Sequence, residues 1–296
     1  MDRPWIAIQR NRISGSGKRK REVLRLIEFL RQQGLKTILF SDREKLDKKL
    51  EHPNARKNLK CLVAAGGDGT IRDVVGRHSS LPLAVLPLGT ENLIARHYGI
   101  PTSGTDVGEM IQYGRTCEVD VGLVNGHRFM IMVGIGFDAE IVRRAEETRS
   151  GNISRLRYLK PILSTLWKYR YPEIRIRSED SSEPAAGGQV LVINLNAYAF
   201  RLSMASNARN DDGLLNVRVF EGESGFKIFR FLYKVLRLKH ESLSDVKSLR
   251  GNKFSIESDV PVPIQVDGDF LGFTPAEISI DPQKVSLFIP KSFQAN

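Results

Sequence analysis

The sequence predicts two architectures in one chain: a parallel α/β domain followed by a β-rich, sandwich-like one. Three observations carry this. Strand-like and helix-like segments alternate as far as Cys117, which calls for a parallel sheet with helices on both faces. Beyond it, short apolar runs separated by turn residues dominate, the texture of a β domain. Finally, Asn11–Gly17, Gly66–Thr70 and Pro87–Thr90 are three polar, glycine-bearing loops between strands and helices of the first part. Open α/β sheets bind ligands there, beyond the carboxyl ends of their strands.

Taken in order, Trp5–Gln9 is an apolar strand and Lys18–Gln33 a helix with Val23, Leu26, Ile27 and Leu30 at helical spacing. Thr37–Phe40 and Cys61–Ala65 are strands, the second ending in glycines. A helix begins at Ile71, Leu83–Leu86 is a strand, and Asn92–Tyr98 is a helix that Gly99 and Pro101 terminate. After Cys117 the expected strands are Glu118–Val124, Arg128–Val133, Glu173–Arg177, Gln189–Leu195, Leu214–Phe220, Lys253–Glu257, Ile264–Val266 and Val285–Ile289. Leu156–Lys168 and Gly225–Leu238 read as helical inserts, and Ser178–Gly188 as a surface hairpin loop.

The 296 residues suit two domains or one large one. A hydrophobic fraction of 41% with 27% charged residues is globular composition and excludes disordered and collagen-like chains. The longest nearly apolar stretch, Phe129–Phe137, falls far short of the roughly 20 residues that cross a bilayer. With no secretory leader pattern, the expected location is the cytoplasm. Cys61 and Cys117 read as buried thiols rather than a disulfide or zinc pair. A net charge of +11 points to polyanionic partners: nucleic acid, an anionic leaflet or phosphorylated small molecules. No nucleic-acid motif or basic-aromatic strand platform accompanies that charge, so nucleic acid is not expected. The run Lys18–Arg21 is most simply a solvated first helical turn.

Gly66-Gly67-Asp68-Gly69-Thr70 follows a strand and opens a helix. Backbone amides and the helix dipole converge there on one spot suited to phosphate. The glycines allow close backbone approach, and Thr70 is placed to cap the helix or reach a phosphate oxygen. Asp68 among such amides would repel an anion unless a cation lay between them. Read alone, each of these loops is a glycine-rich turn; three at one sheet edge make a nucleotide site the better reading. None has the Walker A spacing.

Asn11-x-x-Ser14-Gly15, Gly66-Gly67-Asp68-Gly69-Thr70 and Pro87-Leu88-Gly89-Thr90-x-Asn92 together resemble the diacylglycerol kinase catalytic-domain family, which includes bacterial lipid kinases, sphingosine kinases and ceramide kinases. Glu118–Gly122, Gly134–Ala139, Asp211–Leu215 and Val266-Asp267-Gly268-Asp269 continue the likeness in the family's order. The resemblance implies an NAD-kinase-like parallel α/β domain over residues 1–119, joined by the returning segment 284–296. It also implies a β-rich, sandwich-like lipid-substrate domain over 120–283, with a cleft between the two. ATP and Mg²⁺ are the implied cofactors, and a membrane lipid reached by peripheral contact with an anionic surface is the implied partner. A homodimer is compatible with it.

On the matching positions, the nucleotide site takes Asn11, Ser14, Gly15, Ser41, Gly66, Gly67, Asp68, Gly69, Thr70, Ile71, Arg72, Gly89, Thr90 and Asn92. A structural Mg²⁺ site falls on Asp212 with carbonyls of Arg209 and Leu214; without the resemblance that segment reads as a β-turn. Asp267 or Asp269 accepts the proton of the attacking hydroxyl. An extended segment would point both carboxylates to one side, whereas an Asp-Gly hairpin turn would not. The departures from the family pattern are Arg12, Arg72, Asp73, Leu93 and Asp269. They leave open a kinase of another lipid alcohol, or a non-catalytic nucleotide- or lipid-binding relative. Arg155–Tyr171, with bases among aromatic residues, suits either an interfacial helix or a core-packed one with a basic outer face.

Overall fold

The computed structural model describes residues 4–11, 20–147, 169–179, 184–195, 209–220 and 246–294. Ser14, Gly15, Arg12, the start of the Lys18–Arg21 run, both expected helical inserts and most of the 155–171 segment lie outside the described residues. The chain divides into two compact units, Met1–Val119 with Gln283–Asn296, and Asp120–Pro282.

The first unit is built on β1 (Trp5–Arg10), α1 (Lys20–Gln32), β2 (Lys36–Phe40), α2 (Arg43–Glu51), α3 (Pro53–Lys57), β3 (Leu59–Gly66), α4 (Asp68–His78), β4 (Leu83–Pro87), α5 (Leu93–His97), α6 (Gly104–Tyr113) and β5 (Arg115–Val119). Its sheet runs β2-β1-β3-β4, then a strand returning from the chain's end, Val285–Ile289, then β5. The first five are parallel neighbours, and β5 closes the edge antiparallel to the returning strand. Central β3 and β4 are buried almost throughout, as their uninterrupted apolar runs require of a sheet covered on both faces. Cys61 is buried on β3, and burial pushes its thiol up to about 12; Cys117 on β5 is only half-buried.

Helices α2 and α6 carry little sequence signal. In α2 only Leu46 and Leu50, one turn apart, are buried among charged residues. In α6 the glycines that look like breakers are packing devices: a Cβ on Gly104 would lie 1.9 Å from the Glu22 carbonyl oxygen of α1, and one on Gly108 would lie 2.4 Å from the Phe29 ring. Glycine there lets two helices approach closely, which outweighs its poor helix propensity.

The second unit begins with β6 (Gly122–Val124), β7 (His127–Phe129), β8 (Met132–Gly136) and α7 (Phe137–Glu147). It continues through β9 (Ile174–Ser178), β10 (Ala185–Gly187), β11 (Gln189–Ile193), β12 (Leu215–Phe220), β13 (Val246–Gly251), β14 (Lys253–Glu257), β15 (Pro263–Val266), β16 (Asp269–Phe273) and β17 (Ala276–Ile280). Among the described residues these form two six-stranded sheets, β10-β9-β14-β17-β6-β7 and β13-β12-β11-β8-β15-β16. Alternate residues of each, among them Ile174, Ile176, Phe254 and Ile278 from one and Val133, Ile135, Val190, Val217 and Ile264 from the other, are fully or almost fully buried in one core. The expected single strand Glu118–Val124 is instead β5 and β6, parted at Asp120-Val121 where one unit passes into the other. The glycine-rich run after β8 turns into α7, which packs on β15 and β16.

Candidate active site

At the end of β3 the chain turns at Gly67 into α4, and at the end of β4 it passes through Leu88–Asn92 into α5. The two loops are in backbone contact. A Cβ on Gly89 would lie 2.5 Å from Gly67 Cα and 2.7 Å from Asn92 Oδ1, so only glycine fits there. The Leu88 amide donates to the Gly66 carbonyl at 2.8 Å. Asn92, left-handed at φ 49°, folds its carboxamide back on Gly89, accepting from the amide and donating to the carbonyl at 2.9 Å each. The two loops therefore form one fixed backbone surface at the carboxyl edge of the sheet. These loops lie at the positive end of the 11-residue α4, where negative charge is favoured.

Asp68 is not turned toward that anion position. Its Oδ2 accepts from Leu93 N at 3.0 Å and its Oδ1 from Ile94 N at 3.2 Å, so the carboxylate caps α5 across the loop junction. Burial pushes its carboxyl up from the ordinary range, and the amides of Leu93 and Ile94 partly oppose this. No intervening cation is needed to explain an acid in this loop.

Thr70 also departs from expectation. The N-cap of α4 is Gly67, with no side-chain cap, and the Thr70 hydroxyl is buried beneath Gly66 without a hydrogen-bond partner. A Cβ on Gly66 would lie 2.1 Å from it, so Gly66 is glycine because Thr70 packs under it. Ile71 is buried and has no side chain to offer a ligand. Gly69, Thr90 and Ser41 are exposed; Asn11, Gly67, Arg72, Gly89 and Asn92 are half-buried. Asn11 follows β1 and is held to the same edge by its amide bond to the Ala65 carbonyl at 3.3 Å. Asp73, one helical turn on, binds Gln9 Nε2 at 2.8 Å and Arg77 at 2.9 Å and so ties α4 to β1.

In the second unit, Asp267 and Gly268 are the two-residue turn between β15 and β16, with Val266 paired to Asp269. Both carry positive φ, 48° and 88°, the backbone of a type I′ hairpin. The segment is therefore not extended, and its two carboxylates have different surroundings. Asp267 Oδ1 accepts from Ile131 N and Met132 N, and Oδ2 from Met130 N, all at 2.9 Å. The three residues donating these amides are buried. This carboxylate is a clamp on the entry to β8. Asp269, half-buried at the start of the edge strand β16, is not among the groups on that clamp.

Residues without a motif pin the same turn. Gln265 accepts from Gly268 N through Oε1 and donates through Nε2 to Asp138 Oδ2, each at 2.8 Å. Glu146 of α7 accepts from Phe270 N at 3.0 Å. The available signal was a glutamine inside an apolar strand, since a buried polar side chain needs partners.

At the turn expected to hold a structural cation, both carboxylate oxygens of Asp212 already have partners. Asp212 Oδ1 accepts from Leu214 N at 3.0 Å and Oδ2 from Arg250 Nη2 at 2.5 Å. Arg209 pairs through its side chain with Asp211. Among the described residues no three His, Cys, Asp or Glu side chains gather as a metal site.

Residues 6–124 match the sequence model of the diacylglycerol kinase catalytic domain, and residues 131–289 match that of the YegS C-terminal NAD kinase beta sandwich-like domain. A diacylglycerol kinase of Mycobacterium tuberculosis is 28% identical over 79% of this chain and 78% of its own length. One from Staphylococcus carnosus is 23% identical over 95% and 94%. A Bacillus anthracis protein solved as a candidate diacylglycerol kinase superposes at TM-score 0.78 and 20% identity over 98% of both chains, a likeness of fold.

Proposed function

The chain belongs to the diacylglycerol kinase catalytic-domain family, and from that membership we propose that it transfers the γ-phosphoryl of ATP to a lipid hydroxyl, diacylglycerol giving phosphatidic acid. The single observation that carries this is the glycine contact between the β3–α4 and β4–α5 loops. Beside it the acid of the β3–α4 loop, Asp68, is turned to the Leu93 and Ile94 amides, which keeps its charge off the helix N-terminus that a triphosphate would use. Relatives named diacylglycerol kinase support the choice of acceptor.

Attack by an alcohol requires a base within about 3 Å of its proton. Asp269 is assigned that role, because Asp267 is committed to three amides. The clamp then positions the base, holding the hairpin on which Asp269 stands. Magnesium bound with the nucleotide would neutralise charge on the phosphoryl oxygens. Substrate is reached by peripheral contact: the net charge of +11 favours an anionic leaflet, at about 1 kcal/mol per Lys or Arg near the surface. Among the described residues no helix is long and apolar enough to cross a membrane.

The test is transfer of radiolabel from γ-labelled ATP into a mixed lipid extract, with identification of the product. Label in phosphatidic acid is expected. Label in a phosphorylated sphingoid base or ceramide would replace the acceptor, and bound ATP with no labelled lipid would reject the kinase reading.

A further inference from the structure

We propose that Arg250 takes the place of a divalent cation at the 209–214 turn, so that this unit holds its turn together without bound metal. The turn carries adjacent carboxylates, Asp211 and Asp212, and each faces a guanidinium. Arg209 is bidentate to Asp211, Nε to Oδ1 at 3.0 Å and Nη2 to Oδ2 at 3.2 Å. Arg250 reaches Asp212 Oδ2 from β13, whose register sets it directly across from Asn216 on β12. Two positive side chains thus face Asp211 and Asp212, the third carboxylate at the turn, Asp120, is bonded to the Gly213 amide, and a divalent ion added at Asp212 would meet Arg250 already there.

Geometry agrees with charge. The second oxygen of Asp212 is spent on the Leu214 amide, closing an Asx turn. The backbone on either side is anchored from within the unit: Gly213 N donates to Asp120 Oδ2 at 2.6 Å, and Asp120 N donates to the Asn210 carbonyl at 2.7 Å. A small hard cation demands near-octahedral oxygen coordination and gives up its water reluctantly. The planar guanidinium needs one carboxylate and retains its solvent, with half of the Arg250 side chain exposed. Arg250 thereby links the turn to β13, a connection that a metal ion on carboxylate and carbonyl oxygens of the turn would not make.

The experiment uses the full chain without nucleotide, reading thermal unfolding with EDTA or millimolar Mg²⁺, and Mn²⁺ binding by water-proton relaxation. Wild type should unfold at the same temperature in both buffers and bind no Mn²⁺ that Asp212→Asn removes. Arg250→Met should unfold a few degrees lower, at most about 2–4 °C. It should also gain a Mn²⁺ site and a Mg²⁺-dependent rise, both abolished in Arg250→Met/Asp212→Asn. Wild-type Mn²⁺ binding lost in Asp212→Asn would overturn the proposal. So would an Arg250→Met chain that acquires no such site. If Arg250→Met does not fold, Arg250→Gln provides the same comparison of metal binding.

Discussion

The β3–α4 and β4–α5 loops and the β15–β16 hairpin both display aspartate and glycine, yet they use them in different ways. In the loops Asp68 is turned away, capping α5, and Gly67 and Gly89 let the two backbones touch. In the hairpin the first acid is again held by backbone, the amides of Met130–Met132, and a second acid, Asp269, stands two residues on, outside that clamp. An anion site works through amides and is harmed by a nearby carboxylate, whereas proton transfer from an alcohol needs one. Substitutions should therefore act sterically in the first region and through charge in the second.

The largest effect expected from this contrast is at Asp269. Asp269→Asn should lower kcat about 10²–10⁴-fold, the range for loss of a general base, while ATP affinity stays as in wild type. Asp267→Asn should show the complementary pattern. An amide has one acceptor oxygen for three buried donors, so a stability loss of about 2–3 kcal/mol is expected in urea unfolding. Activity should fall only as far as the hairpin loosens. Equal stability with abolished turnover in Asp267→Asn would exchange the two roles.

Gly89→Ala probes the other region. Its Cβ would meet backbone at Gly67 and the Asn92 carboxamide, neither of which is a flexible side-chain end. Overpacking there should cost about 1–2 kcal/mol and weaken ATP binding in equilibrium titration, with kcat at saturating ATP little changed. The direction separates the regions: KM for ATP rises here, kcat falls at Asp269.

Sequence patterning located these regions better than it assigned their residues. The apolar runs of β1, β3 and β4 and the glycines after β3 and β4 were readable because burial and close backbone contact restrict residue type strongly. The roles of Asp68, Asp267 and Thr70 were not. The surroundings of each are set by partners far off in sequence, Leu93 and Ile94 for the first and Met130–Met132 for the second, and by packing under Gly66 for Thr70. Arg250 was invisible for the same reason, since only the β12–β13 register brings it beside the turn. Helix α6 was hidden by glycines whose purpose lies in α1.

The smallest expected effect concerns Asp68 and is a matter of sign. Its carboxyl is pushed up in the folded chain, chiefly by burial, above the ordinary value it has when unfolded. Between those two values the folded state holds a proton that the unfolded state has released, so this group's contribution to stability falls as pH rises. It is fully present below the unfolded value and is lost as pH passes through the folded one. Asp68→Asn should thus destabilise most in acid, and the gap from wild type should narrow toward neutral pH, where wild type bears the cost of an ionised, buried carboxylate. Urea midpoints of the two proteins across the acid range measure this. A gap that widens toward neutrality would mean that the Leu93 and Ile94 amides outweigh burial, and that Asp68 is held as a favourable anion at the head of α5.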